Sequence, residues 1–276
     1  MHKGILHIYR NTPLGREFLY QSIFFSQKVN TPLYIYIPKY KNFNMYFEDR
    51  VVSVSLEPSY FRDSKRAKER VQKILKEKNA VANFIEPKEF TASTLPDLPV
   101  DFSFMTSPRT ISIPFSKFQI GRIGKVVRNI LLSSQFPVIL PSYCFKEWSK
   151  VVVMFGGSKN AVNAFKVGYY IAKRTNDPLY LFTQQENNRP LSYYEAILKQ
   201  KGLEEELKSV KEWLFFKEGD FSDNLFEIPS DSLVIIGLFG HGIIKNFVFG
   251  SKMEIVQREL PNNLVVVGPH FKEFFV

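Results

Sequence analysis

The segment Asp231-Ser-Leu-Val-Ile-Ile-Gly237-Leu-Phe-Gly240, followed after nine further residues by Gly250-Ser251, decides the fold. Its first part is a continuous apolar run between polar residues, which is typical of a buried parallel strand. The residues after Gly250 have helical spacing, with Ser251 as the N-cap. Glycines let a backbone approach a ligand closely, and a helix start offers unpaired N–H groups to anions. The segment therefore predicts a strand–loop–helix unit that binds a phosphate chain.

The pattern Gly-x2-Gly-x9-Gly-Ser, closed by a last strand at Leu264-Val-Val-Val-Gly268, resembles the nucleotide-binding signature of universal stress proteins. Lys150-Val-Val-Val-Met-Phe-Gly-Gly-Ser158 resembles the first strand and turn of that family, and Asp177-Pro-Leu-Tyr-Leu-Phe182 resembles its second strand. The resemblance covers residues 150–276. It implies an α/β domain of the flavodoxin-like, adenine-nucleotide-binding type, which is a mainly parallel five-stranded sheet with helices on both faces.

The first half of the chain repeats features of the second. Asn30-Thr-Pro-Leu-Tyr34 matches Asn176-Asp-Pro-Leu-Tyr180 at an offset of 146 residues, and a chain of 276 residues is long enough for two small α/β domains. We predict two tandem domains of the same fold, over residues 1–143 and 148–276. The resemblance implies that they pack as an intramolecular pseudo-dimer through their last strands, 138–140 and 264–267. It also leaves a homodimer of two chains open.

The two copies are not expected to be functionally equal. Thr106 and Arg109 stand where the second copy has glycines, and Gly124-Lys125 is the nearest match to Gly250-Ser251. Side chains with a Cβ atom restrict the close backbone approach that glycine allows. We therefore interpret the domain over 1–143 as degenerate.

The expected ligand of the second domain is ATP or a related adenine nucleotide, with or without Mg2+. The glycines and Ser251 would hold the phosphates, Lys252 would neutralise their charge, and His241-Gly242 lies within the same loop. The resemblance implies that Met154 and Gln184 lie near the base. The predicted binding residues are Met154, Gln184, Gly237, Gly240, His241, Gly242, Gly250, Ser251 and Lys252.

One residue departs from the family pattern. The family commonly carries an aspartate in the turn after the first strand, whereas this sequence has Gly156. The departure weakens the expectation of adenosine selectivity more than that of phosphate binding. It leaves a rival interpretation open, a nucleotide-free scaffold or signalling protein of the same fold.

No catalytic set is evident in the sequence. Its four histidines have no metal-ligand spacing with Cys144 or with carboxylates, and no Walker-type Gly-Lys-Ser/Thr motif is present. Slow ATP hydrolysis stays open, but no residue is predicted to act as a base. The resemblance implies a regulatory or protective role in a stress response rather than an enzyme.

The net charge of +10 raises the alternative of a basic surface that binds nucleic acid or an acidic partner. Much of the excess lies in residues 62–78, where Ala67, Val71, Ile74 and Leu75 form one apolar helical stripe. The pattern is typical of a solvated surface helix, and no recognised nucleic-acid motif accompanies it, so nucleic acid is not the expected partner.

The apolar runs are too short for a membrane span, and the single cysteine and absence of a signal-peptide pattern favour a cytoplasmic protein.

The apolar runs also predict where the strands lie along the sequence. Residues 85–99 contain three prolines and are expected to be irregular. A helix over 191–207, interrupted at Gly202, is expected between the second and third strands of the second domain. The strands are predicted near residues 4–9, 33–37, 50–56, 100–105 and 137–141, then near 150–155, 179–183, 212–216, 232–236 and 264–268.

Overall fold

The computed structural model describes residues 4–61, 63–87, 94–112, 123–238 and 251–275. Within these ranges the strands are β1 (Ile5–Ile8), β2 (Leu33–Tyr36), β3 (Asn42–Tyr46), β4 (Val51–Ser55), β5 (Ala82–Ile85), β6 (Phe104–Thr106), β7 (Val138–Leu140), β8 (Lys150–Met154), β9 (Leu179–Gln184), β10 (Val210–Phe216), β11 (Ser232–Gly237) and β12 (Asn263–Val267). The helices are α1 (Pro13–Val29), α2 (Ser64–Glu77), α3 (Lys125–Ser133), α4 (Lys159–Thr175), α5 (Leu191–Gln200), α6 (Glu204–Lys208), α7 (Phe221–Asn224) and α8 (Ser251–Glu259).

Ten of these strands form one continuous sheet, in the order β10-β9-β8-β11-β12-β7-β6-β1-β2-β5. We refer to β1 through β7 as the first half and to β8 through β12 as the second half. Within each half the five sheet strands are parallel and follow one order, in which the first strand lies at the centre. The halves join where β7 and β12 pair in antiparallel fashion, with Val138 opposite Val266. The expected strand–helix alternation and flavodoxin-like sheets are confirmed.

The sequence repeat is also a repeat of local structure. Thr12 and Ser158 lie 146 residues apart, and each side chain accepts a hydrogen bond from a backbone N–H of the first turn of α1 or α4. Asn30 and Asn176 end the same two helices in the left-handed conformation, with φ of 50° and 56°. Asparagine tolerates that conformation better than most residues do, and this is why the repeat preserves it.

Apolar side chains cover both faces of the sheet. One face packs against α1, α2, α4 and α5, and the other packs against α3, α8 and the β3–β4 hairpin. Gly168 lets α4 lie close to the sheet, because a Cβ atom there would come within 2.3 Å of Val153 Cγ2. The prediction of helices on both faces is confirmed, with the hairpin as an addition.

The prediction for residues 50–56 was wrong in one respect. These residues do form strand β4, but it pairs with β3 in a separate two-stranded sheet. The third sheet strand of the first half is β5, which was not predicted. Exposed and buried residues alternate along β4, as in a hairpin with one solvated face, whereas β5 is a short edge strand with weak burial. The predicted interruption at Gly202 is confirmed, with φ of 72° between α5 and α6.

Candidate functional site

The candidate site lies at the carboxyl ends of β8, β9 and β11. The central strand β8 pairs with both neighbours, so that Met154 lies opposite Phe182 on one side and Ile236 on the other. From this edge α4 leaves toward one face of the sheet and α8 lies on the other. The order of the strands reverses between β8 and β11, and open parallel sheets bind ligands at such a point.

Buried hydrogen bonds fix the turn after β8. Thr183 Oγ1 donates to the Phe155 carbonyl at 2.6 Å and accepts from Trp213 Nε1 at 2.9 Å. Next in the chain, Gly156 is exposed, and a Cβ atom built on it meets none of the described atoms within 4 Å. The position where the family commonly has an aspartate is therefore open to a side chain.

Gly237 is required by the scaffold itself. A Cβ atom on this residue would lie 2.3 Å from the backbone oxygen of Asn160, in the first turn of α4. The Asn160 side-chain amide in turn donates to the Leu238 carbonyl. Close approach of β11 to α4 thus explains this glycine, whereas the sequence predicted close approach to a ligand.

Two of the predicted residues, Gln184 and Lys252, make side-chain contacts at this edge. Gln184 Oε1 accepts from Asn224 Nδ2 at 2.6 Å. Lys252 Nζ, in the first turn of α8, pairs with Glu186 Oε1 and lies 5.4 Å from the centroid of the Phe221 ring. Both side chains of the Lys252–Glu186 pair are more than two-fifths exposed, so the pair is a weak one.

The structure therefore brings some of the predicted binding residues to one edge. Met154, Gln184 and Gly237 end the three strands, and Lys252 joins them through Glu186. Ser251 begins α8, and its side chain lies outside the described atoms. Gly240, His241, Gly242 and Gly250 lie outside the described residues.

Three residues of this edge were not predicted: Asn160, Glu186 and Asn224. Asn160 follows the Ser158 cap by two residues, and Glu186 follows the end of β9 by two, so their positions beside strand exits were the available signal. Asn224 lies in α7 and has no such signal. Its role depends on the side-chain contact with Gln184.

The equivalent edge of the first half is filled by charged side chains. Arg10 stands 146 residues before Gly156 and is 8% exposed. It forms an ion pair with Glu57 and donates to Ser59 Oγ at 2.5 Å. Arg109 follows β6 and is 5% exposed, and both arginines line one small cavity with Leu14, Phe18 and Tyr143.

Comparison with known proteins rests on structure. No protein-family model matches the sequence, and no curated protein matches it. A universal stress protein from Archaeoglobus fulgidus DSM 4304 superposes with a TM-score of 0.62 at 17% identity, over 97% of this chain and 99% of that chain. The chain has the fold of a tandem universal stress protein.

Two Pseudomonas aeruginosa proteins agree with this assignment of the fold. One, from strain UCBPP-PA14 and assigned to the universal stress proteins, matches with a TM-score of 0.59 at 12% identity, over 97% of this chain and 94% of that chain. The other, a protein of unknown function from strain PAO1, matches with a TM-score of 0.56 at 10% identity, over 97% and 93% of the two chains. The matches span both halves, so the tandem arrangement belongs to the shared fold.

Two further observations concern the described residues. Among them, no group of three His, Cys, Asp or Glu side chains is placed to hold a metal ion. None of the helices described combines the length and apolar character needed to cross a bilayer.

Proposed function

We propose that the second half binds ATP or a related adenine nucleotide at the edge formed by β8, β9 and β11, and that the protein has a regulatory or protective role in a stress response. The observation that carries the proposal is the convergence of three strand ends with the start of α8. The Gly-x2-Gly-x9-Gly-Ser signature runs from the end of β11 to the start of α8. Its first and last residues, Gly237 and Ser251, belong to the described elements, and Lys252 follows directly.

The phosphates would lie at the start of α8, because a helix N-terminus combines unpaired N–H groups with a favourable dipole. Lys252 would exchange its weak pair with Glu186 for a phosphate oxygen. The base would lie toward Met154 and Gln184, at the ends of β8 and β9. Gly156 offers no carboxylate to a ribose, so we expect weaker binding than a complete site provides and tolerance of other bases.

The first half would serve as a built-in partner subunit. Its strand β7 pairs with β12 of the second half, which satisfies the edge that an isolated second half would expose. The charged side chains at its own carboxyl edge support the interpretation that its nucleotide site is lost.

The basic helix α2 supports a nucleic-acid function less well. Several of its cations have partners nearby: Arg70 pairs with Asp63, Lys73 with Glu77, and Lys68 lies over the Phe84 ring. An exposed helix whose cations pair with neighbouring residues accounts for this charge, so we do not propose nucleic acid as the partner.

The proposal is tested by titrating the full chain with ATP in a calorimeter. We expect measurable binding by the wild type, none by Gly250→Val, and weaker binding by Lys252→Met. Lys208→Met is the matched control, because Lys208 also pairs with a glutamate, Glu205 at 2.7 Å, on an exposed helix of the second half. A wild type that binds no nucleotide would favour the nucleotide-free scaffold.

A further inference from the structure

Arg109 of the first half reaches into the second half. Its Nη1 atom donates to the backbone carbonyl of Gln257, in the last turns of α8. The side chain is 5% exposed, and its guanidinium lies 5.3 Å from the centroid of the Tyr143 ring. Arg109, which follows β6 in the first half, therefore contacts the helix that follows the nucleotide signature in the second.

The Gln257 carbonyl needs such a donor. In a helix this carbonyl would accept from the N–H of residue 261, but residue 261 is proline and has none. The preceding bond, from Leu260 N to the Val256 carbonyl at 3.0 Å, is present, so the last turn is helical up to this point. Arg109 thus supplies the donor that the sequence of α8 leaves out.

The chemistry of the contact also suits the end of a helix. Burial lowers the pKa of the Arg109 guanidinium, and Tyr143 opposes this shift. Across the described part of the chain, no carboxylate pairs with Arg109. The cation faces the negative end of the α8 dipole, whose positive end lies at Ser251-Lys252.

We propose that Arg109 is a positioning residue through which the first half sets the placement of α8 and hence the nucleotide affinity of the second half. This inference rests on the proposed function. Met253 and Val256 of α8, and Leu260 directly after it, pack into the core by apolar contacts. The hydrogen bond from Arg109 fixes its carboxyl end, and a buried carbonyl left without a donor would draw the helix toward another arrangement.

The test uses a second-site rescue. In the full chain we expect Arg109→Met to weaken ATP binding about tenfold, within the range of ordinary coupling between sites. Adding Pro261→Ala restores an N–H four residues after Gln257, and the double variant should recover most of the lost affinity. Arg109→Lys retains a donor, so its affinity for ATP should lie between those of Arg109→Met and the wild type.

Arg174→Met is the matched control. Arg174 lies in α4 of the second half and donates to the carbonyls of Val29 and Asn30 at the end of α1, at 2.8 and 3.1 Å. It is the same kind of contact between the halves, but it does not touch α8, so its loss should lower the melting temperature and leave ATP affinity unchanged.

The outcomes separate the two proposals. If the wild type binds no ATP, the proposed function fails. If the wild type binds ATP and Arg109→Met binds it equally well, the positioning role is wrong. It is also wrong if Arg109→Met and the control Arg174→Met weaken ATP binding equally. If Arg109→Met does not fold, the double variant decides: a double variant that folds but still binds ATP about tenfold more weakly than the wild type would contradict the positioning role, because its restored N–H should compensate for the lost donor.

Discussion

The two halves share their scaffold and differ at the edge where ligands bind. Both begin their first helix with a hydroxyl cap and end it with a left-handed asparagine, 146 residues apart. At the carboxyl end of the first strand, however, one half has the buried Arg10–Glu57 pair, whereas the other has Gly156, whose Cβ position meets none of the described atoms within 4 Å. The features that define the fold are thus retained in both copies, while the residues of the ligand edge have diverged.

The largest expected effect concerns Gly237, where β11 approaches α4 closely at the candidate site of the second half. Gly237→Ala places a Cβ atom 2.3 Å from a backbone oxygen that cannot move without shifting α4. We expect the free energy of unfolding to fall by about 3 kcal/mol, measured by denaturant titration. Gly156→Ala is the control and should leave stability within about 0.5 kcal/mol of the wild type, because its Cβ position is open. Equal losses in the two variants would contradict the distinction between scaffold and open positions.

The second effect distinguishes the central strands of the halves. His7 in β1 corresponds to Val153 in β8, and burial lowers the pKa of His7 from 6.5 to about 3. The unfolded chain therefore takes up a proton below pH 6.5 that the folded chain does not. Stability should be full above this pH and fall by about 2 kcal/mol between pH 7 and pH 5.

The check is a set of unfolding titrations at several pH values. His7→Val, which copies the second half, should remove this part of the pH dependence. A variant whose stability still falls as steeply as that of the wild type would show that His7 is not the group responsible.

The third effect is expected from a substitution that introduces the carboxylate missing from the candidate site of the second half. Gly156→Asp should tighten ATP binding by about 1.5 kcal/mol, the contribution of a hydrogen bond to a charged group. Binding of inorganic triphosphate serves as the control and should not improve, because the carboxylate would face the nucleoside and repel phosphate. Unchanged ATP affinity, measured by calorimetry, would indicate that the nucleoside lies elsewhere.

The smallest effect tests the part that the halves share. Thr12→Ala and Ser158→Ala each remove one helix cap and should each lower the free energy of unfolding by about 1 kcal/mol. The two losses should be alike, since both caps make the same 3.1 Å bond. A loss confined to one helix would show that the repeat in sequence is not a repeat in energetics.

The sequence allowed the scaffold to be predicted further than the site. The Asn-x-Pro-Leu-Tyr repeat and the Thr12 and Ser158 caps act through neighbouring backbone, so the local pattern was enough to locate them. The sheet membership of β4 and β5 was not predictable in this way, because it depends on which strand edge each meets after folding. Long-range contacts such as Lys252–Glu186 and Arg109–Gln257 join residues that are 66 and 148 positions apart in the sequence, and no local pattern indicates them.

The central claim is that the second half alone binds nucleotide, and the number of ATP molecules bound per chain tests it most directly. A calorimetric titration of the wild type at protein concentrations above the dissociation constant should saturate at one equivalent. The same stoichiometry should hold for Arg10→Gly, which copies Gly156 into the first half but leaves Arg109 in place. Two equivalents in the wild type, or one equivalent that persists in Gly250→Val, would contradict the account.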